Sequence, residues 1–162
     1  MNITIRHYRR TDWKGLVQAI DSVCAEGMMA TPHFRPTPVW QHALDAPLCP
    51  CHLLLVARTD DQVVGWCRLF PEGCEDGTDQ VELGIGVVRN WRQKGIGGKL
   101  LHHALKWTTR RGFAHVVLTV RADNEPATQL FTRSGFQVIG GKDELLEMAC
   151  LPEYIPEQGV KW

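Results

Sequence analysis

The residues best suited to chemistry lie between Glu82 and Lys99. The stretch Arg92-Gln93-Lys94-Gly95-Ile96-Gly97-Gly98-Lys99 follows the strand-like run Val81-Glu82-Leu83-Gly84-Ile85-Gly86-Val87-Val88 and leads into an amphipathic segment. The first backbone N–H groups of a helix have no intrahelical acceptor, and the aligned peptide dipoles put about half a positive charge at that end. A phosphate fits such a terminus. Gly95, Gly97 and Gly98 remove side chains that would hold a ligand off the backbone, while Arg92, Lys94 and Lys99 add positive charge around it. The expected ligand is a di- or polyphosphate. Glu82 is the second feature, an acid embedded in an otherwise hydrophobic strand. On strict alternation it shares a face with Gly84 and Gly86. Glycines inside a strand mark bulges or close backbone approach, unless they merely make room for core aromatics.

Two other phosphate loops fail on spacing. Gly98-Lys99 is followed by Leu100 rather than Ser or Thr, and Gln93 stands where the nucleotide-triphosphate loop needs its first glycine. Gly95-Ile96-Gly97 lacks the third glycine of the dinucleotide fingerprint, because Leu100 occupies that place.

Around these groups the chain reads as an ordered series of strands and helices. Residues 3–6 alternate as a strand, and Thr11-Asp12 offers an N-cap for a helix over 13–20. Residues 26–38 contain Gly27, Pro32, Pro36 and Pro38, which break regular structure, but also Met28, Met29 and Phe34, so this segment is expected to fold over something. Thr37-Pro38 then starts a short helix through Leu44. Residues 53–58 and 63–70 form a hairpin, 71–80 a solvated turn, and 81–88 a strand. The helix from Gly95 carries Ile96, Leu100, Leu101, Ala104, Leu105 and Thr108 near one face and stops at Gly112. A strand over 116–120 follows, then a helix over 124–134 closed by Gly135, then strands over 136–139 and 145–149 around a Gly140-Gly141 turn.

Composition narrows the function classes. With 162 residues and 44% hydrophobic content the chain suits a single globular domain, 1–162, with its own core. Its formal net charge of zero argues against a nucleic-acid or membrane-surface binder. No apolar run approaches the ~20 residues of a membrane span, and the first residues lack a signal-peptide layout, so a cytoplasmic location is expected. The cysteines Cys24, Cys49, Cys51, Cys67, Cys74 and Cys150 are expected as reduced thiols. Cys49-Pro50-Cys51-His52 invites a metal reading, but its spacing is not C-x-x-C and no second ligand pair follows, so no metal is expected.

Two motifs together point to a family. The first is Arg92-x-x-Gly95-x-Gly97 after a hydrophobic strand, and the second is Asn124-Glu125-Pro126-Ala127-Thr128-Gln129-Leu130-Phe131-Thr132-Arg133-Ser134-Gly135-Phe136. In this order and element context they resemble the GCN5-related N-acetyltransferase (GNAT) superfamily, whose second motif reads N-x-x-A-x-x-L-Y-x-x-x-G-F. Residues from about 81 to 140 look like bacterial amino-acid and amine acetyltransferases; the first half matches in layout alone. The resemblance implies an α+β fold of three layers, with a mixed, mainly antiparallel, splayed central sheet flanked by helices. It places the CoA-binding core at about 81–140 and the acceptor-site elements at about 24–50 and 140–162.

The resemblance also implies roles. Acetyl-CoA would be the cofactor, its pyrophosphate on the amides of Gln93, Lys94, Gly95, Ile96, Gly97, Gly98 and Lys99 beside Arg92. Its pantetheine arm would pair with Ile85, Gly86 and Val87, with Asn124 bonding that arm or a water, and Ala127, Leu130 and Phe131 lining its path. Arg133 would reach the adenosine phosphates. The acceptor would be a primary amine of a small molecule or amino acid, bordered by Glu26, Met28 and Phe34. An alkyl ammonium of pKa near 10 must lose a proton before it attacks; Glu82 is the first candidate base and Glu26 the second. The Val87 amide would face the developing oxyanion. Phe131 departs from the family, standing where many members carry a tyrosine that protonates the leaving sulfur; water, Tyr154 or Tyr8 would have to substitute. That departure opens an alternative, an acyl-CoA-binding sensor or scaffold that has lost catalysis. A protein N-terminus, a lysine or an aminoglycoside remain open as acceptors, and the resemblance allows a homodimer, which is common in the family.

Overall fold

The computed structural model describes residues 2–29, 33–71 and 79–152. Their strands are β1 (Thr4–His7), β2 (Leu53–Arg58), β3 (Val63–Pro71), β4 (Gln80–Val87), β5 (His115–Arg121), β6 (Gln137–Lys142) and β7 (Leu145–Cys150). The helices are α1 (Trp13–Cys24), α2 (Pro38–Asp45), α3 (Ile96–Arg111) and α4 (Glu125–Arg133). The strands form one sheet in the order β1-β2-β3-β4-β5-β7-β6, antiparallel at every step except β4 with β5. This is the expected α+β architecture with a mixed, mainly antiparallel sheet.

Alternation along the strands feeds two cores. Leu53, Leu55, Leu69, Leu83 and Leu118 pack with Leu100, Leu101 and Leu105 of α3 and Phe131 of α4. Their neighbours Leu54, Val56, Trp66 and Phe70 turn the other way, onto Leu16 and Ile20 of α1 and Trp40 of α2. A period of two along a strand sends successive side chains to opposite faces. The apolar face expected for α3 is the buried one, and the helix ends at Gly112 in the left-handed region, φ 76°. Leu100 is fully buried, so its truncation to alanine costs about 2–5 kcal/mol.

Three local expectations are corrected. Asp12 does not cap α1 with its side chain. It is 2% exposed and accepts instead from Arg6 (2.7 and 2.9 Å), Arg58 (2.6 Å) and the Arg9 amide (2.8 Å). The long basic side chains of β1 and β2 converge on it and outcompete the helix start. Gly140 and Gly141 are not the turn between the last strands; both lie inside β6, paired with Glu147 and Leu146. The reversal falls at Asp143 and Glu144, where Asp143 takes φ 58°. Finally, β4 holds an unbroken register with β3 from Pro71↔Val81 to Gly65↔Val87, so it carries no bulge. Gly84 and Gly86 serve cross-strand neighbours. A Cβ on Gly84 would lie 2.6 Å from Arg68 Nε, and one on Gly86 would enter the Trp66 indole. Gly86 makes room for a core aromatic, as the blander reading had it, and Gly84 makes room for an arginine instead.

Candidate active site

The sheet opens along one seam. β4 pairs with β5 only at Gln80↔His115, Val81↔Val116 and Glu82↔Val117. Beyond that point β4 remains paired with β3 as far as Val87, and β5 remains paired with β7 as far as Arg121. Each strand keeps its outer partner while the two part from each other, which is the expected splay. The direction of the backbone groups follows from one bond. Val88 N–H donates to Val64 O at 2.8 Å. In an antiparallel pair, hydrogen-bonded and non-bonded positions alternate, so Leu83, Ile85 and Val87 turn their N–H and C=O toward the seam, while Gly84 and Gly86 turn theirs to β3. Of the expected pantetheine partners, then, Ile85 and Val87 face the gap and Gly86 does not. The Val87 carbonyl is itself engaged, accepting from Arg92 Nε at 2.9 Å.

The seam runs into the glycine-rich turn. Gln93 takes φ 60° and Gly95 φ 78°, a left-handed pair that bends the chain back so that α3 begins at Ile96. Only glycine adopts that region at little cost. Lys99 N–H is already committed to Gly95 O at 3.1 Å, so the helix-start donors are those of Ile96, Gly97 and Gly98, and the Lys99 amide drops out of the predicted cradle.

Seam and turn form one side of a 1320 Å³ cleft whose other side is built from α1, α2 and the segment between them. Every predicted site residue lines it except Glu26 and Lys99. On the α4 side, Asn124 spends its side-chain oxygen on the Ala127 amide at 3.4 Å as the helix cap, Ala127 and Leu130 face inward, and Arg133 stands exposed at the last turn. Phe131 is 4% exposed and packs on Phe136 with ring centroids 5.6 Å apart. On the opposite side Phe34 meets Trp40 edge-on at 5.0 Å, with Met28 nearby on the lining.

Both candidate bases are held by arginines. Glu82 Oε1 accepts from Arg68 Nη2 at 2.8 Å, with 54% of the glutamate side chain exposed. The Arg68 guanidinium lies over the rings of Phe70 (4.9 Å) and Trp40 (5.8 Å). Glu26 receives both forks of Arg92, at 2.8 and 2.6 Å, and backs Arg92, which lines the cleft while Glu26 does not. Arg92 thus ties the end of β4 to the segment after α1, rather than standing loose beside the turn. Tyr8 is no substitute acid: it is 3% exposed in the α1/α2 core, where burial pushes its pKa up. Tyr154 lies outside the described residues.

Arg68 and Trp40 also line the cleft, and sequence reading did not single them out. A signal existed for Arg68, a charge in the middle of Trp66-Cys67-Arg68-Leu69-Phe70, as out of place as Glu82 in its own strand.

The chain matches the Acetyltransferase (GNAT) family over residues 22–136 and belongs to it. Over 54 residues it is 37% identical to a mycothiol acetyltransferase of Corynebacterium aurimucosum, covering 33% of this chain and 18% of that protein. A probable N-acetyltransferase, camello, of Xenopus tropicalis is 36% identical over 83 residues, 51% of this chain and 37% of the relative. The chain therefore aligns with well under half of these relatives' length. Among solved structures, a GNAT-family acetyltransferase from Streptococcus pneumoniae superposes with TM-score 0.80 at 20% identity, covering 93% of this chain and 99% of that one. A putative acetyltransferase from Salmonella typhimurium, solved with its cofactor acetyl-CoA, gives TM-score 0.77 at 20% identity over 99% and 98% of the two chains. These likenesses establish the fold. Among the described residues, no helix is long and apolar enough to cross a membrane.

Proposed function

We propose that this chain transfers an acetyl group from acetyl-CoA to a primary amine of a small molecule or amino acid, by direct attack with both substrates bound. The observation that carries the reading is the open seam between β4 and β5, with the Ile85 and Val87 backbone turned into it, running directly into the helix start at Gly95. An extended, amide-bearing arm ending in a diphosphate suits both parts: strand-like pairing for the arm, unpaired helix-start amides for the anion. Bound there, acetyl-CoA supplies an acyl carbon already activated toward amines as a thioester.

The residues have separable tasks. Ile96, Gly97 and Gly98 present amides to the phosphates, with Lys94 adding charge. Val87 N–H is aimed where negative charge develops on the acyl oxygen. Glu82 is favoured over Glu26 as the base because it lines the cleft and one of its oxygens is held, whereas Glu26 has both oxygens on Arg92. Glu82 stands five positions before Val87, about 16 Å along an extended strand, so its role as base requires a relay of several waters along the cleft. Phe131 cannot donate a proton, and a thiol of pKa about 8.5 leaves tolerably as the thiolate.

Phe131 favours a second reading, a domain that binds acyl-CoA without transferring the acyl group. Incubation with acetyl-CoA and pooled amino acids, polyamines, peptides and aminoglycosides, read by thiol release and by the added acetyl mass, decides between them. Acetylated product supports the enzyme. Tight coenzyme binding with silence toward every pool supports the binding domain, and no binding to folded protein ends both.

A further inference from the structure

A second constellation lies at the opposite end of the sheet from the open seam, and the acetyl-transfer reading makes no use of it. The last turn of α2 brings His42 back over the loop that leads into β2, where Cys49, Cys51 and His52 lie. One donor atom from each of the four falls within 4.8 Å of every other. Cys51 Sγ is 3.6 Å from His42 Nε2, 3.4 Å from His52 Nδ1 and 2.9 Å from Cys49 Sγ. The reason for expecting no metal was that no second ligand pair followed Cys49-Pro50-Cys51-His52. The fold supplies the missing donor from upstream.

We propose that His42, Cys49, Cys51 and His52 form a structural site for a thiophilic divalent cation, zinc above all. Four donors of the Cys₂His₂ type match the tetrahedral preference of Zn²⁺. With Zn–S of about 2.3 Å and Zn–N of about 2.0–2.1 Å, sulfur and nitrogen on one tetrahedron stand about 3.5 Å apart. The two sulfur–nitrogen distances are 3.6 and 3.4 Å, matching that edge. The sulfurs, at 2.9 Å, need to part to about 3.8 Å, a small movement for two side chains on one loop.

The surroundings favour an ion over a disulfide. A disulfide between Cys49 and Cys51 needs neither histidine, yet both imidazoles are turned onto the sulfurs. His52 is 3% exposed and its Nε2 has no hydrogen-bond partner among the described residues, so the ring is buried with one nitrogen unrewarded. A metal on Nδ1 would give the buried ring one strong bond and fix the tautomer with its proton on Nε2. Four protein ligands leave no open coordination position, which makes the site structural rather than catalytic. Its place gives it a task. His52 meets Phe70 edge-on at 6.1 Å, and Phe70 meets Trp40 at 5.0 Å, so the ion would brace from behind the helix that forms the acceptor wall.

The test uses the full chain, stripped of metal under reductant and titrated with Co²⁺. The expected result is one equivalent bound, with the visible d–d bands of a tetrahedral ion and a near-ultraviolet thiolate charge-transfer band, all displaced by Zn²⁺. Cys49→Ser and His42→Ala, checked for folding by circular dichroism, should each shift or abolish those bands. Reduced, folded wild-type protein that shows no such bands overturns the proposal. So do bands unchanged in both variants, or a mass two hydrogens lighter that persists with Zn²⁺ present, which would make the pair a disulfide.

Discussion

Along the α3 side of the cleft the polar groups belong to the backbone, whereas along the α1/α2 side they belong to side chains. The first is made of the amides after Gly95 and of the Ile85 and Val87 edges. The second is made of Arg68 with Glu82 over Trp40 and Phe70, and of Arg92 with Glu26. Proline aside, a substitution does not delete a backbone group; it crowds it. A side chain can be removed singly. The cofactor side should therefore be sensitive to added atoms and the acceptor side to lost ones, and five substitutions probe that contrast.

The largest effect is expected from Gly97→Asp. A Cβ there meets only Leu130 at 3.5 Å and Val87 at 3.7 Å, ordinary contact distances, so the fold should survive while a carboxylate faces the phosphate cradle. Calorimetry should find coenzyme A binding abolished; retained affinity in folded variant would sink the cradle. Next comes Glu82→Gln, which should lower turnover by about 10²–10⁴-fold with coenzyme affinity unchanged. Steady-state kinetics showing wild-type turnover would remove Glu82 as base.

A control lies away from both sides. Burial alone would raise the pKa of Asp12, but hydrogen bonds from Arg6, the Arg9 amide and Arg58 outweigh it, and the net shift is downward. A carboxyl whose folded pKa lies below its unfolded value stabilises the fold above that unfolded value, and the contribution is lost as pH falls through the folded one. Asp12→Asn should thus cost roughly 2–4 kcal/mol near neutral pH and lose part of that difference in strong acid, with neither substrate's affinity altered. Urea titrations at two pH values measure this.

Glu26→Gln should cost about 1 kcal/mol of stability or less, since Arg92 is partly exposed. It should raise the KM for the amine while leaving coenzyme binding intact; a change in coenzyme affinity instead would assign the pair to the other side of the cleft. Phe131→Tyr is the mildest. Phe131 packs on Phe136 in the core, and the added hydroxyl should leave turnover unchanged or raise it a few-fold. A clear fall in turnover with unchanged coenzyme affinity would show that another group already protonates the sulfur.

The same contrast explains what was legible beforehand. Backbone sites announce themselves through glycine and helix starts, so Gly95 and the α3 face could be read from short-range pattern, whereas Asn124, expected to bond the pantetheine arm or a water, proves to cap α4. The element order followed from periodicity, and the sheet class from the family resemblance that the two motifs carry. Side-chain sites depend on partners far apart in sequence. Arg92 meets Glu26 across 66 positions and Arg68 meets Glu82 across 14, and nothing local in either segment names its partner. The two readings of Gly84 and Gly86, a bulge or room for large neighbours, stayed open for the same reason, since what decides between them is the bulk of Arg68 and Trp66 on the neighbouring strand. His42 joined the cysteine cluster only once α2 had turned back over its own exit loop.

The bond from Arg92 Nε to the Val87 carbonyl makes the rim of the seam chemically one-handed. A guest lying in the gap meets at Val87 a hydrogen to share and an oxygen already shared with Arg92. Ladder growth is therefore weakened at that residue, which favours an electron-rich group on the guest.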